Sequence, residues 1–154
     1  MSRILVLDTN LIILLVVGLA DEPSVPRHKR TRAYSVEDFR LLKQIISTFD
    51  EVRVIPNALS EASNLLDFEG DGLPEKFFSQ FSRLVADSKE VYVPSFEALL
   101  RPEFRRIGLT DAAMLEMGKN ELHILSADVG LYLAALQAGY AASNFTHAIE
   151  AARV

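Results

Sequence analysis

Apolar and polar positions along the chain fall into a strand-then-helix pattern that begins at once. Ile4-Leu5-Val6-Leu7 is an unbroken apolar run, as expected for a strand buried on both faces of a parallel sheet. It stops at Asp8-Thr9-Asn10, and a second apolar run begins at Leu11. The polar triplet thus falls where a strand gives way to a helix, at the edge where open α/β sheets bind ligands. Residues 11–19 are apolar on every side of a helix. Such a helix needs cover from more than one direction, which predicts packing by the core and by a second copy of the chain.

The alternation continues. Residues 21–34 hold two prolines and read as a loop. Ser35 is the expected N-cap of a helix with Glu37 and Asp38 in its first turn and Phe39, Leu42, Ile45, Ile46 and Phe49 at helical spacing. A second strand is expected at 52–55, closed by Pro56. Asn57 is read as the cap of a helix through Leu59, Ala62, Leu65, Leu66 and Phe68. Gly70-Asp71-Gly72 makes a turn, and 74–86 is amphipathic, with Phe77, Phe78, Phe81, Leu84 and Val85 on its buried side. Val91-Tyr92-Val93 reads as a short third strand ended by Pro94, followed by a partly helical stretch that Pro102 limits. Thr110 is the expected cap of a helix over 112–119. Residues 122–125 form the fourth strand, with Ser126-Ala127-Asp128 as its polar end. Gly139 stops a helix over 131–138, and a weak last strand at 140–142 precedes a short helix. Strands alternating with helices predict an α/β fold with a parallel sheet.

The 154 residues suit one domain spanning 1–154 with a substantial core. The absence of cysteine excludes a disulfide framework and a thiolate metal site, and it suits a reducing compartment. The apolar run after Asn10 is too short to span a bilayer. It does not read as a signal peptide either, because Asp8 falls where the basic n-region belongs. A cytoplasmic protein with no membrane partner is therefore expected. The net charge of −5 argues against coating nucleic acid by bulk attraction, although it says less of an enzyme whose own pocket is acidic. Arg27, Lys29, Arg30 and Arg32 are clustered, with Arg101, Arg105 and Arg106 further on. Such runs are either solvated surface or phosphate contacts, and the first cluster supplies the candidates for RNA binding.

Four acids share one address. Asp8 ends the first strand, Glu61 lies about one turn into the helix after the second, Asp111 opens the helix before the fourth, and Asp128 follows the fourth. Right-handed crossovers bring these strand ends to one sheet edge. Carboxylates held close together repel, and take up protons or a cation. Oxygen ligands of this kind suit Mg²⁺ or Mn²⁺, and the chemistry that follows is hydrolysis of a phosphate ester. Each acid also has a plainer reading: Asp8 and Asp128 as helix caps, Asp111 as a first-turn dipole partner, Glu61 as solvent-facing.

Leu7-Asp8-Thr9-Asn10 after a buried strand resembles the opening signature of PIN-domain nucleases. Three further stretches resemble that family in order and spacing: Leu59-Ser60-Glu61 with Asn64-Leu65-Leu66, Leu109-Thr110-Asp111-Ala112-Ala113, and Leu125-Ser126-Ala127-Asp128. The resemblance covers nearly the whole chain. It implies a three-layer α/β/α fold with a sheet of about five strands in the order 3-2-1-4-5, and Mg²⁺- or Mn²⁺-dependent cleavage of RNA. Many small members are toxins of toxin–antitoxin modules, restrained by a protein antitoxin and commonly dimeric. By position, Asp8, Glu61, Asp111 and Asp128 are the implied metal-binding and catalytic acids, with Thr9, Asn10, Thr110 and Ser126 in support. Asp8 and Asp111 would hold the metal, and Glu61 and Asp128 would hold or orient the attacking water. Val129-Gly130-Leu131-Tyr132 lacks the further acid of many members, which weakens the case for a second metal.

The competing reading is a non-catalytic PIN-like module that binds RNA or a protein. A phosphoacceptor receiver domain fits poorly, since it wants adjacent acids before the first strand's terminal Asp and a later lysine. There is no phosphate-cradling Gly-rich loop and no serine in a nucleophile elbow. His28, His123 and His147 do not fall at metal-ligand spacing.

Overall fold

The computed structural model describes residues 2–67 and 70–154. Five strands pair in parallel in the order β3-β2-β1-β4-β5: β1 (Ile4–Leu7), β2 (Glu51–Val54), β3 (Lys89–Glu90), β4 (His123–Ser126) and β5 (Ala141–Asn144). β1 lies in the middle, with Leu5 opposite Val52 on one side and His123 on the other. That central place explains its unbroken apolar run, since Leu5, Val6 and Leu7 are all buried.

Helices α1 (Thr9–Ala20) and α2 (Val36–Ser47) join β1 to β2, and α3 (Pro56–Leu66) and α4 (Glu75–Asp87) join β2 to β3. The return from β3 across the sheet to β4 uses α5 (Ser95–Leu99), α6 (Phe104–Ile107) and α7 (Leu109–Gly118). Helix α8 (Val129–Gln137) joins β4 to β5, and α9 (Phe145–Ala152) follows β5. Because all strands are parallel, every helix that leaves a strand starts at the same edge, and right-handed crossovers layer helices on both faces. Among the described residues, no helix is long and apolar enough to cross a membrane.

Every residue of α1 from Leu11 to Gly18 is buried within the chain itself. Helices α2, α3 and α4 pack against it, and the 3-10 turn Glu22–Ser24 with the fully buried Val25 adds further cover. Gly18 makes this possible. A Cβ there would stand 2.1 Å from Cδ1 of Phe39, so the α2 ring lies where a side chain would be. The all-apolar surface of α1 is therefore no argument for or against a second subunit: one chain already supplies the cover.

Several local expectations also change. Ser35 caps α2 as expected, in a capping box with Asp38. Asn57, however, lies inside α3, where Pro56 takes the first turn, because a missing N–H costs nothing there. Thr110 likewise lies inside α7; the capping position belongs to Gly108, at φ 88°, a conformation suited to glycine. The third strand is Lys89–Glu90, two residues before the expected Val91. The last two strands run to Ser126 and Asn144, each further than expected. Phe68, expected on α3, lies outside the described residues.

Candidate active site at the sheet edge

Asp8 is held at the end of β1 from both sides. Its backbone N–H donates to the Leu125 carbonyl at 3.2 Å, fastening it to β4. Its Oδ1 accepts from the Leu11 N–H at 2.9 Å and so caps α1. Its Oδ2 accepts from Ser126 Oγ at 2.6 Å and from the Ala127 N–H at 2.8 Å. Both the capping reading and the converging-acid reading of Asp8 are thus present in one side chain. Burial pushes the Asp8 carboxyl above its ordinary range, while the bonds from Ser126, Leu11 and Ala127 oppose the rise.

Glu61 is exposed, on α3, yet two hydroxyls turn it toward the same edge. Thr110 Oγ1 donates to Oε1 at 2.5 Å, and Thr9 Oγ1 donates to Oε2 at 3.3 Å. Glu61, in the second turn of α3, therefore ties the first turns of α1 and α7 together through one carboxylate. Asp128 caps α8, its Oδ1 accepting from the Gly130 N–H at 2.7 Å and the Leu131 N–H at 3.2 Å. Ser126 links the two ends, since its Oγ also accepts from the Asp128 N–H at 2.8 Å.

Asp111, half-buried in the first turn of α7, feels all the others. Burial, then the charges of Asp128, Asp8 and Glu61 in that order, push its carboxyl up to about 7. Four acids from four separated segments therefore share one electrostatic site. No cation figures among the causes acting on Asp8 or Asp111. The donor set is all hard oxygen. Among the described residues, no three Asp, Glu or His side chains form a ready-made cage for an ion. Mg²⁺ does not need one, because it keeps several waters and takes one or two carboxylates with substrate oxygens. The residues fit such an ion, with Asp111 as the carboxylate least committed to other partners.

Asn10 is exposed at this edge and accounts for none of the bonds that hold the acids. Arg27, Lys29, Arg30 and Arg32 are exposed too, and they are not among the charges acting on Asp8 or Asp111. Arg27 instead lines a separate cleft beside the first turn of α4. Tyr34 was not singled out from the sequence. Its ring packs against Phe145 with centroids 5.9 Å apart, and burial followed by the carboxylates of Asp8 and Asp38 pushes its phenol up. It lies in a loop without periodicity, directly before the Ser35 cap, and only that adjacency to a helix start hinted at its position.

No protein-family model matches the chain, and no relative is found among curated proteins.

Proposed function

We propose that the chain is a metal-dependent endoribonuclease that hydrolyses RNA phosphodiester bonds with Mg²⁺ or Mn²⁺. The reading rests above all on the shared field of Asp8, Glu61, Asp111 and Asp128 at one strand edge, which holds the Asp111 proton to about pH 7. Structural caps have no need of such crowding, and a cation relieves it. Bound at this edge, such an ion lowers the pKa of water and offsets charge growing on a phosphate during displacement. Asp8 and Asp111 are the residues to hold it. Asp8 is fixed for that task by Ser126 and the Ala127 N–H, so its geometry is set before any ligand arrives. Glu61, whose carboxylate accepts from Thr9 and Thr110, and Asp128 are the residues to hold or orient the attacking water. Asn10, exposed beside them, is a further polar contact for substrate.

Within this reading the protein is the toxin of a toxin–antitoxin pair, a cytoplasmic homodimer restrained by an antitoxin protein. That part rests on the motif resemblance and on the absence of cysteine. One observation favours the alternative, a non-catalytic RNA- or protein-binding module: both Asp8 oxygens already have protein donors.

The two readings separate in one experiment. Purified protein is incubated with RNA in Mn²⁺, in Mg²⁺ and in EDTA, beside Asp111→Asn. Cleavage that needs the metal and is lost in the variant supports the nuclease. Absence of cleavage together with no Mn²⁺ binding by calorimetry overturns it in favour of the binding module.

A further inference from the structure

The cluster near residue 30 finds its counterpart across the chain. His28 packs edge-on against Phe77 of α4, with ring centroids 5.5 Å apart, and Lys76 Nζ stands 5.3 Å from the centre of the same ring. Ser24, Arg27, His28, Pro74, Lys76 and Phe77 line a cleft of about 230 Å³. No acidic residue is among them. Lys76 thereby joins in space a group of cations that lies far from it in sequence; Lys29, Arg30 and Lys76 all act on His28 and, with burial first, hold its imidazole below the ordinary range.

Among the described residues, these cations enter no ion pair: such pairs engage Arg40, Arg53, Arg101, Lys119 and Arg153, and Arg27, Lys29, Arg30, Arg32 and Lys76 are in none. His28 Nδ1 accepts from the Arg30 N–H at 3.1 Å, so the neutral ring carries its proton on Nε2 and keeps a donor to offer. An apolar floor under converging N–H donors, in a chain of net charge −5, is chemistry for a phosphate oxygen.

The cleft is built on elements that pack against α1, the helix that Asp8 caps: α4 and the turn Glu22–Ser24 both contact it.

We propose that this cleft anchors the sugar–phosphate backbone of single-stranded RNA, away from the scissile phosphate, through Arg27, Lys76 and the His28 imidazole. The inference rests on the ribonuclease reading for the identity of the strand. Lys29 and Arg30, whose charges reach His28, add long-range attraction.

The test is binding of a labelled single-stranded RNA oligonucleotide to the full chain in EDTA, by anisotropy across a salt series. Wild type is compared with Lys76→Ala, with Arg27→Ala and with Arg83→Ala, an exposed cation at the other end of α4. The slope of log affinity against log salt should fall by about 0.7 for each lost phosphate contact in the first two variants, and remain unchanged in Arg83→Ala. Circular dichroism confirms that each variant is folded. Equal slopes for wild type and Lys76→Ala, or an equal loss in Arg83→Ala, overturn the cleft while leaving metal-dependent cleavage untouched. A slope change confined to the cleft variants, with neither cleavage nor Mn²⁺ binding by wild type, overturns the nuclease and keeps the cleft. No RNA binding by wild type in EDTA overturns the cleft and leaves the nuclease to the cleavage and Mn²⁺-binding assays.

Discussion

Ser126 Oγ donates to Asp8 Oδ2 at 2.6 Å, across 118 positions of sequence, and both residues are buried. The bond ties the polar ends of two neighbouring strands and fixes the carboxylate at the centre of the edge. Ser126→Ala removes the hydroxyl but leaves Asp8 buried, so a desolvated oxygen loses a donor. Urea denaturation should show a loss of about 1–3 kcal/mol. Ser126→Thr, which keeps the hydroxyl, should lose less.

Asp111 gives the site a pH signature. Its carboxyl titrates at about 7 in the folded chain against an ordinary value of 3.8. A group raised in this way binds its proton more tightly in the native state, so its contribution is complete below about pH 3.8 and is lost as pH rises through about 7. In EDTA, Asp111→Asn should therefore gain stability over wild type as pH rises through that window. Allowing for partial solvent screening, the gain above the upper limit should be roughly 1–3 kcal/mol. A constant difference across the window would mean that Asp111 is not crowded by the other acids.

The same crowding predicts a response to ions that does not depend on activity. At neutral pH, Mg²⁺ or Mn²⁺ should raise the Tm of wild type, and the rise should grow with ion concentration as expected for binding to the native state alone. Asp111→Asn should respond much less. Equal shifts in both proteins would place the ion elsewhere.

Gly18 and Phe39 make a packing prediction far from the acids. The added methyl of Gly18→Ala would overlap the Phe39 ring, and the variant should lose at least about 1–3 kcal/mol by thermal unfolding. Combining it with Phe39→Leu should cost less than the two single changes summed, because the smaller side chain vacates the space.

How much of this was legible beforehand depended on whether the signal was local. The run Ile4 to Leu7 announced a central strand because burial on both faces leaves no polar alternation. Ser35 with Asp38 announced a helix start because the capping box is a contact between near neighbours. The third strand was misplaced because an edge strand of two residues is fixed by backbone pairing of Arg53 with Lys89 and Val54 with Glu90, whereas Val91 and Tyr92 carry the β-forming side chains. Asp8 and Asp128 were visible as strand-end residues, and Glu61 and Asp111 as acids near the starts of helices. Their hydroxyl partners came from the resemblance, and the reach of Thr110 to Glu61 is purely tertiary. Tyr34 beside Asp8 and Lys76 beside His28 had no periodic signal, since each depends on where a non-repetitive loop comes to rest.

The placement of β1 between β2 and β4 has a consequence in time. A chain elongating on the ribosome has Asp8 and Glu61 in hand well before β4, at His123–Ser126, exists to seat beside β1. Until that last neighbour docks, the Asp8 carboxylate lacks Ser126 and the Ala127 N–H and is free to turn. The edge as it stands, with Asp8 held from both sides, is therefore complete only once residues 123–128 have been made and β4 has paired with β1.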